Sequence, residues 1–513
     1  MNNLILNPFG IPEILSLVGD YLDRSDLLHC IRVSKAFHNT LVKFIWKKIQ
    51  TGSHSKEPTF EALQNYKEHI EELVFYNIFP QKFRLLQGCK RLKYINCSMR
   101  SSQDFSIPND LSNLIKAHRS TITKFLFEFK CPGLQEIWGA LMECTHLEYL
   151  KIYGSQISSD ETDLFFQVCK KVKHLDMSHV CIHQLPSDFM DDNADNFIFP
   201  NINALYFHHT KISNPPHPYT SSYCLGMLTR RCPRLRSLVV AGNQYDFYRE
   251  AFLYRPFALP DLSKIWLYNM KIKDEDMAAL LKQLTELRQL FLQGSDFGPL
   301  SIRELLAEEQ EILEDGHIIR KRRNRRLCDT VEILEFIKQT GEIDGVVQAI
   351  LSNCPRLKEL RGPKITLTEI IAGAEWISTG LTHMSVNLEV DVGLESSEGP
   401  QMQRTAFRQL GKLTQLRVLN LTPDYSWNEE VRTLDLRLRS GLDELVNLKR
   451  LFWLFFEGDK HQRMQSEDAT WIINNWPSLN DVYGIVNCEP GARTLVTDIL
   501  LSHDILVEYR TFD

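Results

Sequence analysis

No two of the 12 cysteines in this chain form a CxxC pair, which excludes a zinc ribbon and a thioredoxin-type redox couple. Basic residues are in slight deficit: 59 Lys and Arg against 65 Asp and Glu give a formal charge of -6. A dedicated nucleic-acid binder shows the opposite balance. No apolar run approaches the ~20 residues that span a bilayer. The opening MNNLILNPFGIPEILSLVGDYLDRS has neither a basic n-region nor a small-residue cleavage site, so no signal peptide is expected. GxSxG, GxxxxGK(S/T), HExxH and a GxGxxG following a strand are all missing, and with them the common hydrolase, nucleotide and zinc-protease chemistries. The expectation is a soluble protein, cytoplasmic and/or nuclear, with free thiols, no cofactor, no metal, no catalytic residue, and no membrane or nucleic-acid partner.

What is present is ordinary in amount and unusual in order. Hydrophobic residues make up 43% and charged residues 24% of the chain, as in folded soluble proteins. At 513 residues it exceeds one compact core, so several domains or a repeat array are required.

Residues 11–49 predict three short helices. In the first, Ile11, Ile14, Leu15, Val18, Tyr21 and Leu22 follow the spacing of one helical face. Ser25 or Asp26 is positioned to cap the second, which carries Leu27, Leu28 and Ile31, and Ser34 to cap the third. That third helix presents Phe37, Leu41, Phe44, Ile45 and Ile49 on a broad apolar face. Some forty residues bury too little surface to be stable alone, so the helices should lean on the next domain or on a partner.

The run Ile11-Pro12-Glu13-Ile14-Leu15, followed by Tyr21-Leu22, Asp26-Leu27-Leu28, Cys30, Val33-Ser34-Lys35, Phe37, Trp46 and Ile49, resembles an F-box in order and spacing. It departs from that pattern in placing Pro12 directly before Glu13 and in having Lys43-Phe44 where a proline usually precedes the late Trp. The resemblance implies docking onto a Skp-type adaptor and, through it, a cullin, by helix-in-groove contacts. Pro12, Ile14, Leu15, Leu27, Leu28 and Val33 are its carried-over contact candidates, some of which belong to the helices' own core.

From Ile70 onward one motif recurs as L-x-x-L-x-L: HLEYLKI (146–152), KVKHLDM (171–177), NINALYF (201–207), RLRSLVV (234–240), DLSKIWL (261–267), ELRQLFL (286–292), QLRVLNL (415–421) and NLKRLFW (447–453). Its second apolar position serves as a marker: Leu73, Ile95, Phe125, Leu150, Leu175, Leu205, Leu238, Ile265, Leu290, Leu360, Met384, Leu419, Leu451 and Val482, with a further copy at Leu334. Most steps span 22 to 35 residues. Cys89, Cys144, Cys169, Cys232 and Cys354 each stand three residues before a first apolar position, two of them in Cys-Pro-Arg-Leu. The array resembles cysteine-containing leucine-rich repeats, somewhat longer and less regular than their ~20–29 residues. These cysteines are expected to be small buried packing groups.

Helical stretches such as 133–144 and 276–284 lie between the motifs. The fold class expected is therefore α/β: a short three-helix F-box-like module (1–50), an irregular leucine-rich-repeat solenoid with a concave parallel sheet (51–487), and a C-terminal cap (488–513). Strand alternation buries each marker and its +2 neighbour, turning the −1, +1 and +3 positions outward. That rule nominates Tyr149, Lys151 and Tyr153; His174, Asp176 and Ser178; Tyr206 and His208; Val239; Trp266 and Tyr268; Phe291 and Gln293; then Arg361, Asn420, Arg450, Phe452 and Tyr483. Tyr149, Tyr153, Tyr206, His208, Trp266, Tyr268 and Phe291 are the candidates for binding a protein substrate, because exposed aromatics bury large rigid area at interfaces. Aromatic pairing between neighbouring strands is the plainer explanation.

Two further segments catch the eye. Arg320, Lys321, Arg322, Arg323, Arg325 and Arg326 form a basic run, yet Glu304, Glu308, Glu309, Glu311, Glu314 and Asp315 precede it. A charged insertion at about 300–330 is preferred over a nuclear-import signal. His179, Cys181, His183 and His209 are metal-ligand types, but histidines after a repeat strand are expected to be exposed turns.

The best-supported function on the residues is a non-catalytic substrate-recognition adaptor of a Skp–cullin–F-box ubiquitin ligase. The alternative is a repeat scaffold that binds a protein without delivering it for ubiquitination.

Overall fold

The computed structural model describes residues 11–52, 57–99, 107–129, 133–186, 188–190, 197–314, 317–337, 345–393, 399–422 and 432–508. The first ten residues of the expected N-terminal module, Asp315 of the charged insertion and residues 509–513 of the expected cap lie outside them. Residues 1–235 and 236–513 form two compact units.

The first unit opens with three helices, α1 (Pro12–Gly19), α2 (Arg24–Cys30) and α3 (Lys35–Lys47). Leu27, Leu41 and Ile45 make their common core, with Leu22, Ile31, Phe37 and Trp46 packed against it. Ser34 caps α3 as expected, its hydroxyl accepting the Phe37 amide at 3.2 Å. The cap of α2, however, is Asp23, which accepts the Asp26 amide at 2.8 Å. An Asp three residues ahead reaches the free N–H that Ser25 or Asp26, being inside the first turn, cannot. Gly19 allows α1 and α3 to touch: a Cβ there would stand 2.7 Å from the Phe44 ring.

Helix α3 stops at Lys47, two residues short of the expected Ile49. Lys48–Thr51 alternates exposed and buried side chains and forms strand β1. Ile49 is thus a sheet residue, paired with Leu73, because a period-two stretch next to an open sheet edge gains ladder hydrogen bonds that another half-turn of helix could not supply.

The parallel sheet continues through β2 (Glu72–Tyr76), β3 (Tyr94–Met99), β4 (Lys124–Phe129) and β5 (Tyr149–Tyr153). Beyond the short β6 (Gln156–Ile157) come β7 (His174–Ser178), β8 (Cys181–Ile182), β9 (Ala204–His208) and β10 (Lys211–Ile212). One register runs across it: Ile49, Leu73, Ile95, Phe125, Leu150, Leu175 and Leu205 are successive partners. The small strands β6, β8 and β10 make a second parallel ladder just past the main one.

The second unit repeats the arrangement with β11 (Ser237–Ala241), β12 (Lys264–Tyr268) and β13 (Gln289–Gln293). An antiparallel hairpin, β14 (Glu309–Glu314) and β15 (His317–Arg322), interrupts the series. The parallel ladder resumes with β16 (Ile333–Ile337), β17 (Glu359–Thr366), β18 (His383–Glu389) and β19 (Val418–Asn420), and then β20 (Trp453–Phe455), β21 (Asp481–Tyr483) and β22 (Leu506–Glu508). Its register is Leu238, Ile265, Leu290, Leu334, Leu360, Met384, Leu419, Leu454, Val482 and Val507. The marker of the Phe452 repeat is therefore Leu454 and not Leu451. Leu451 is buried in the turn leading into the strand, and the strand starts where the Phe452 and Trp453 amides reach the Arg417 carbonyl at 2.7 and 3.0 Å.

Seven of the strands end in a turn of one kind. Asn77, Gly154, His179 and His209 in the first unit, and Gly242, Asn269 and Gly294 in the second, all have positive φ and all stand four residues past their marker. Glycine, asparagine and histidine tolerate the left-handed region better than other residues, so this position is a sequence signature of the repeat. The expected packing cysteines fit the same geometry. Cys144 and Cys354 are the residues at which the helices Gln135–Glu143 and Val346–Asn353 end, and all five are buried. The Cys144 and Cys232 thiols donate to helix carbonyls four residues back, Ala140 at 3.6 Å and Leu228 at 3.4 Å.

Candidate protein-interaction site

Alternation along several strands leaves one face of the ladder half-open. On β5 the pattern is strict: Leu150 and Ile152 are buried while Tyr149, Lys151 and Tyr153 are half-buried. On β9 and β12, Tyr206, His208, Trp266 and Tyr268 likewise stay half-buried, alternating with the buried Leu205, Phe207, Ile265 and Leu267. Phe291 does so on β13.

In the first unit these side chains form a stack across strands. The Tyr149 and His174 rings lie 4.5 Å apart at 26°, and His174 and Tyr206 4.7 Å apart at 22°. Below them Asp176, buried, is held by Lys151 Nζ at 2.8 Å and by the Ser178 hydroxyl at 3.2 Å. Desolvation holds the imidazoles of His174 and His208 below their ordinary pKa, with Asp176 opposing it in both. Burial, and next the Asp176 charge, push the Tyr149 phenol up. Further along the face Glu128, also buried, accepts the Ser98 hydroxyl at 2.6 Å. Sequence reasoning missed Glu128 and Ser98. Both stand three residues past the markers Phe125 and Ile95, so the outward rule, applied to those two markers, finds them.

The second unit carries two aromatic groups on this face. Phe291 lies 5.5 Å from Trp266 and 4.8 Å from Tyr268. Phe455 and Tyr483 stack at 4.4 Å and 5°, and the Trp453 indole donates to Asp481 at 2.6 Å. With the marker moved to Leu454, Trp453 and Phe455 replace Arg450 and Phe452 as the strand positions of that repeat. Arg361, between the two groups, pairs with Glu335 at 3.3 Å.

The helical candidates divide. Leu15 and Leu27 are 2% and 5% exposed and belong to the core, whereas Pro12 is exposed, Ile14 half-buried, Leu28 39% exposed and Val33 69% exposed. Leu17 and Val18 on α1, and Tyr21 just after it, are exposed as well.

The basic run is divided among several structural roles. In the hairpin Arg320 stands opposite Glu311 and Arg322 opposite Glu309, so the acidic and basic blocks face each other across two strands. Arg326 pairs with Asp329 at 2.9 Å. Arg323 turns inward, its guanidinium donating to the carbonyls of Leu281 at 2.9 Å, Glu309 at 3.0 Å and Leu284, at the end of the helix Asp274–Gln283. His179 and His209 are exposed turn residues, and among the described residues no group of His, Cys, Asp and Glu could hold a metal ion. Nor is any helix among them long and apolar enough to cross a membrane.

No family model and no curated protein matches this sequence. Among solved structures it is similar to an internalin (inlF) from Listeria monocytogenes str. 4b F2365, at 15% identity, covering 90% of this chain and 92% of that one with a TM-score of 0.31. It is also similar to the Rad7 and Elc1 complex of yeast, at 12% identity, 94% and 90% coverage and a TM-score of 0.32. A TLR13–ssRNA13 complex aligns at 10% identity, 85% and 70% coverage and a TM-score of 0.31. The α/β repeat fold rests here on the parallel ladders and their constant register.

Proposed function

We propose that this chain is a repeat scaffold that binds a protein partner on the open face of its strands, without bond chemistry of its own. The observation that carries this is the in-register row of half-open aromatics: Tyr149, His174 and Tyr206 in one unit, and Trp266, Tyr268 and Phe291 in the other. Such rings are already packed against one another, so a partner covers large area at little cost in side-chain entropy. The test is affinity capture by the intact chain against a Trp266→Ser/Tyr268→Ser/Phe291→Ser variant of matched unfolding midpoint. A partner retained by the former and lost by the latter supports the reading. Identical retained sets from both would refute it.

A second, narrower reading is favoured by the exposed apolar residues of the helices: the scaffold is a substrate receptor whose F-box-like segment docks a Skp-type adaptor and so a cullin. Leu17, Tyr21, Leu28 and Val33 leave apolar area open on a segment of three short helices, as helix-in-groove docking requires. Leu28→Asp/Val33→Asp is the appropriate variant, since Leu27→Asp would break the helical core. Sub-micromolar adaptor binding that this variant loses supports ligase assembly. No binding by the intact chain leaves the scaffold alone.

A further inference from the structure

Away from the strand face, the second unit holds a cavity of about 470 Å3 lined by the segments 432–440 and 459–463. Its frame is built from buried polar groups that are all engaged. Asp459, fully buried, accepts the Thr433 amide at 3.0 Å, the Thr433 hydroxyl at 2.8 Å, the Gln462 side-chain amide at 2.7 Å and the His461 amide at 2.7 Å. Gln462 in turn donates to the Leu434 carbonyl at 2.8 Å and accepts the Leu436 amide at 3.1 Å. Asp435 is taken by the Arg437 guanidinium and by the Ser440 hydroxyl at 2.7 Å. Both carboxylates among the described residues that line the cavity are therefore occupied by groups of the frame.

Four cations are not. Arg432, Arg439, Lys460 and Arg463 line the same cavity and are exposed. Among the described residues their side chains have no carboxylate partner. Other cations of the same unit do have carboxylate partners, as Arg361 has Glu335 and Lys364 has Glu389. Four like charges gathered at one concavity repel one another and focus a positive field into it. Asp459 and Gln462 cross-tie the two segments that carry these cations. A guanidinium fork matches the oxygens of a phosphate in charge and geometry, and a phosphomonoester carries about -1.5 to -2 at neutral pH. With Asp435 and Asp459 set against the five Lys and Arg, the described lining carries a net charge of +3, which one or two such groups balance and a single carboxylate does not.

We propose that this pocket is a binding site for a phosphate-bearing ligand, with Arg432, Arg439, Lys460 and Arg463 as its recognition groups. The site is separate from the aromatic strand face, and its standing does not depend on what binds there. The phosphate could come from a phosphorylated peptide or from a soluble polyphosphate, and the probes distinguish these sources. Calorimetric titration of the full chain is performed with sodium tripolyphosphate, with a phosphoserine peptide, and with the same peptide unphosphorylated. Micromolar binding of either phosphate probe is expected, weakened about tenfold or more in Arg432→Gln/Arg463→Gln, and unchanged in Lys321→Gln on the remote hairpin. Both variants alter exposed side chains, and their unfolding midpoints are checked against the parent. Binding of the phosphopeptide but not its unphosphorylated form points to a protein source, and binding of tripolyphosphate alone to a soluble one. Absence of binding by both probes, equal binding by the double variant, or equal loss in Lys321→Gln would overturn the proposal.

Discussion

The imidazoles of His179 and His209 stack at 5.0 Å and 20° because both residues hold the left-handed position that ends a repeat strand, with φ of 54° and 51°. The ladder sets these two rings side by side, and their backbone conformation does the rest. A β-branched residue is the least tolerant of this region. His209→Val is expected to lower stability by about 2 kcal/mol, and His209→Gly to change it by less than about 1 kcal/mol. Urea unfolding of the three proteins checks this. Equal midpoints for His and Val would show that the turn carries no conformational constraint.

Arg323 should behave unlike its basic neighbours. Its buried guanidinium satisfies carbonyls at the end of the helix Asp274–Gln283, where a cation also complements the helix dipole. Arg323→Ala is expected to cost about 2–4 kcal/mol, from lost charged hydrogen bonds and carbonyls left unpaired. Arg322→Ala, removing an exposed pair with Glu308 at 3.6 Å, should cost less than about 0.5 kcal/mol. Similar thermal midpoints for the two variants would contradict this division.

The repeat cysteines should be chemically silent. Burial pushes the thiols of Cys89 and Cys144 up to about 12 and those of Cys169, Cys232 and Cys354 upward as well. At pH 8 almost none of these is a thiolate, the form that reacts. Site-resolved alkylation in the folded protein should label the half-buried Cys30, Cys181 and Cys488 well before any of the five. Modification of Cys144 at a rate equal to Cys488 would count against the buried packing role.

Stability should fall in mild acid through His174 and His208. Their folded pKa values are depressed below the ordinary value, so the unfolded chain takes up protons first as pH drops below about 6.5. The contribution is fully present above that pH and is lost as pH falls through the folded pKa values. His174→Gln/His208→Gln should flatten this part of the stability profile between about pH 6.5 and 5, as read from urea midpoints. An unchanged slope would mean that neither imidazole is held neutral by its surroundings.

Much of the ladder was legible in the residues. The markers from Leu73 to Leu205 and from Leu238 to Leu419 all stand where the recurring motif puts them, since a period-two strand with one buried face has only one acceptable phase. The repeat at 447–456 shows the limit. Leu448, Leu451 and Leu454 satisfy the motif in either of two frames, and only the pairing of Leu454 with Leu419 selects one. Ile49 was ambiguous for a related reason: it continues the apolar face of α3 and also alternates as a strand residue, and the open edge of β2 captures it.

Sequence by itself determined the number and phase of most strands, the positions of the buried thiols and the alternation that leaves Tyr149, Tyr206, Trp266 and Phe291 outward. These follow from local periodicity, which every residue carries with it. Tertiary structure alone decided which charges meet. It separated the run 320–326 into hairpin pairs, a helix end and an ion pair with Asp329, and it gathered Arg432, Arg439, Lys460 and Arg463 from separate segments around one cavity. Electrostatic partnership depends on distance in space, and distance in space is set by the packing of the whole unit.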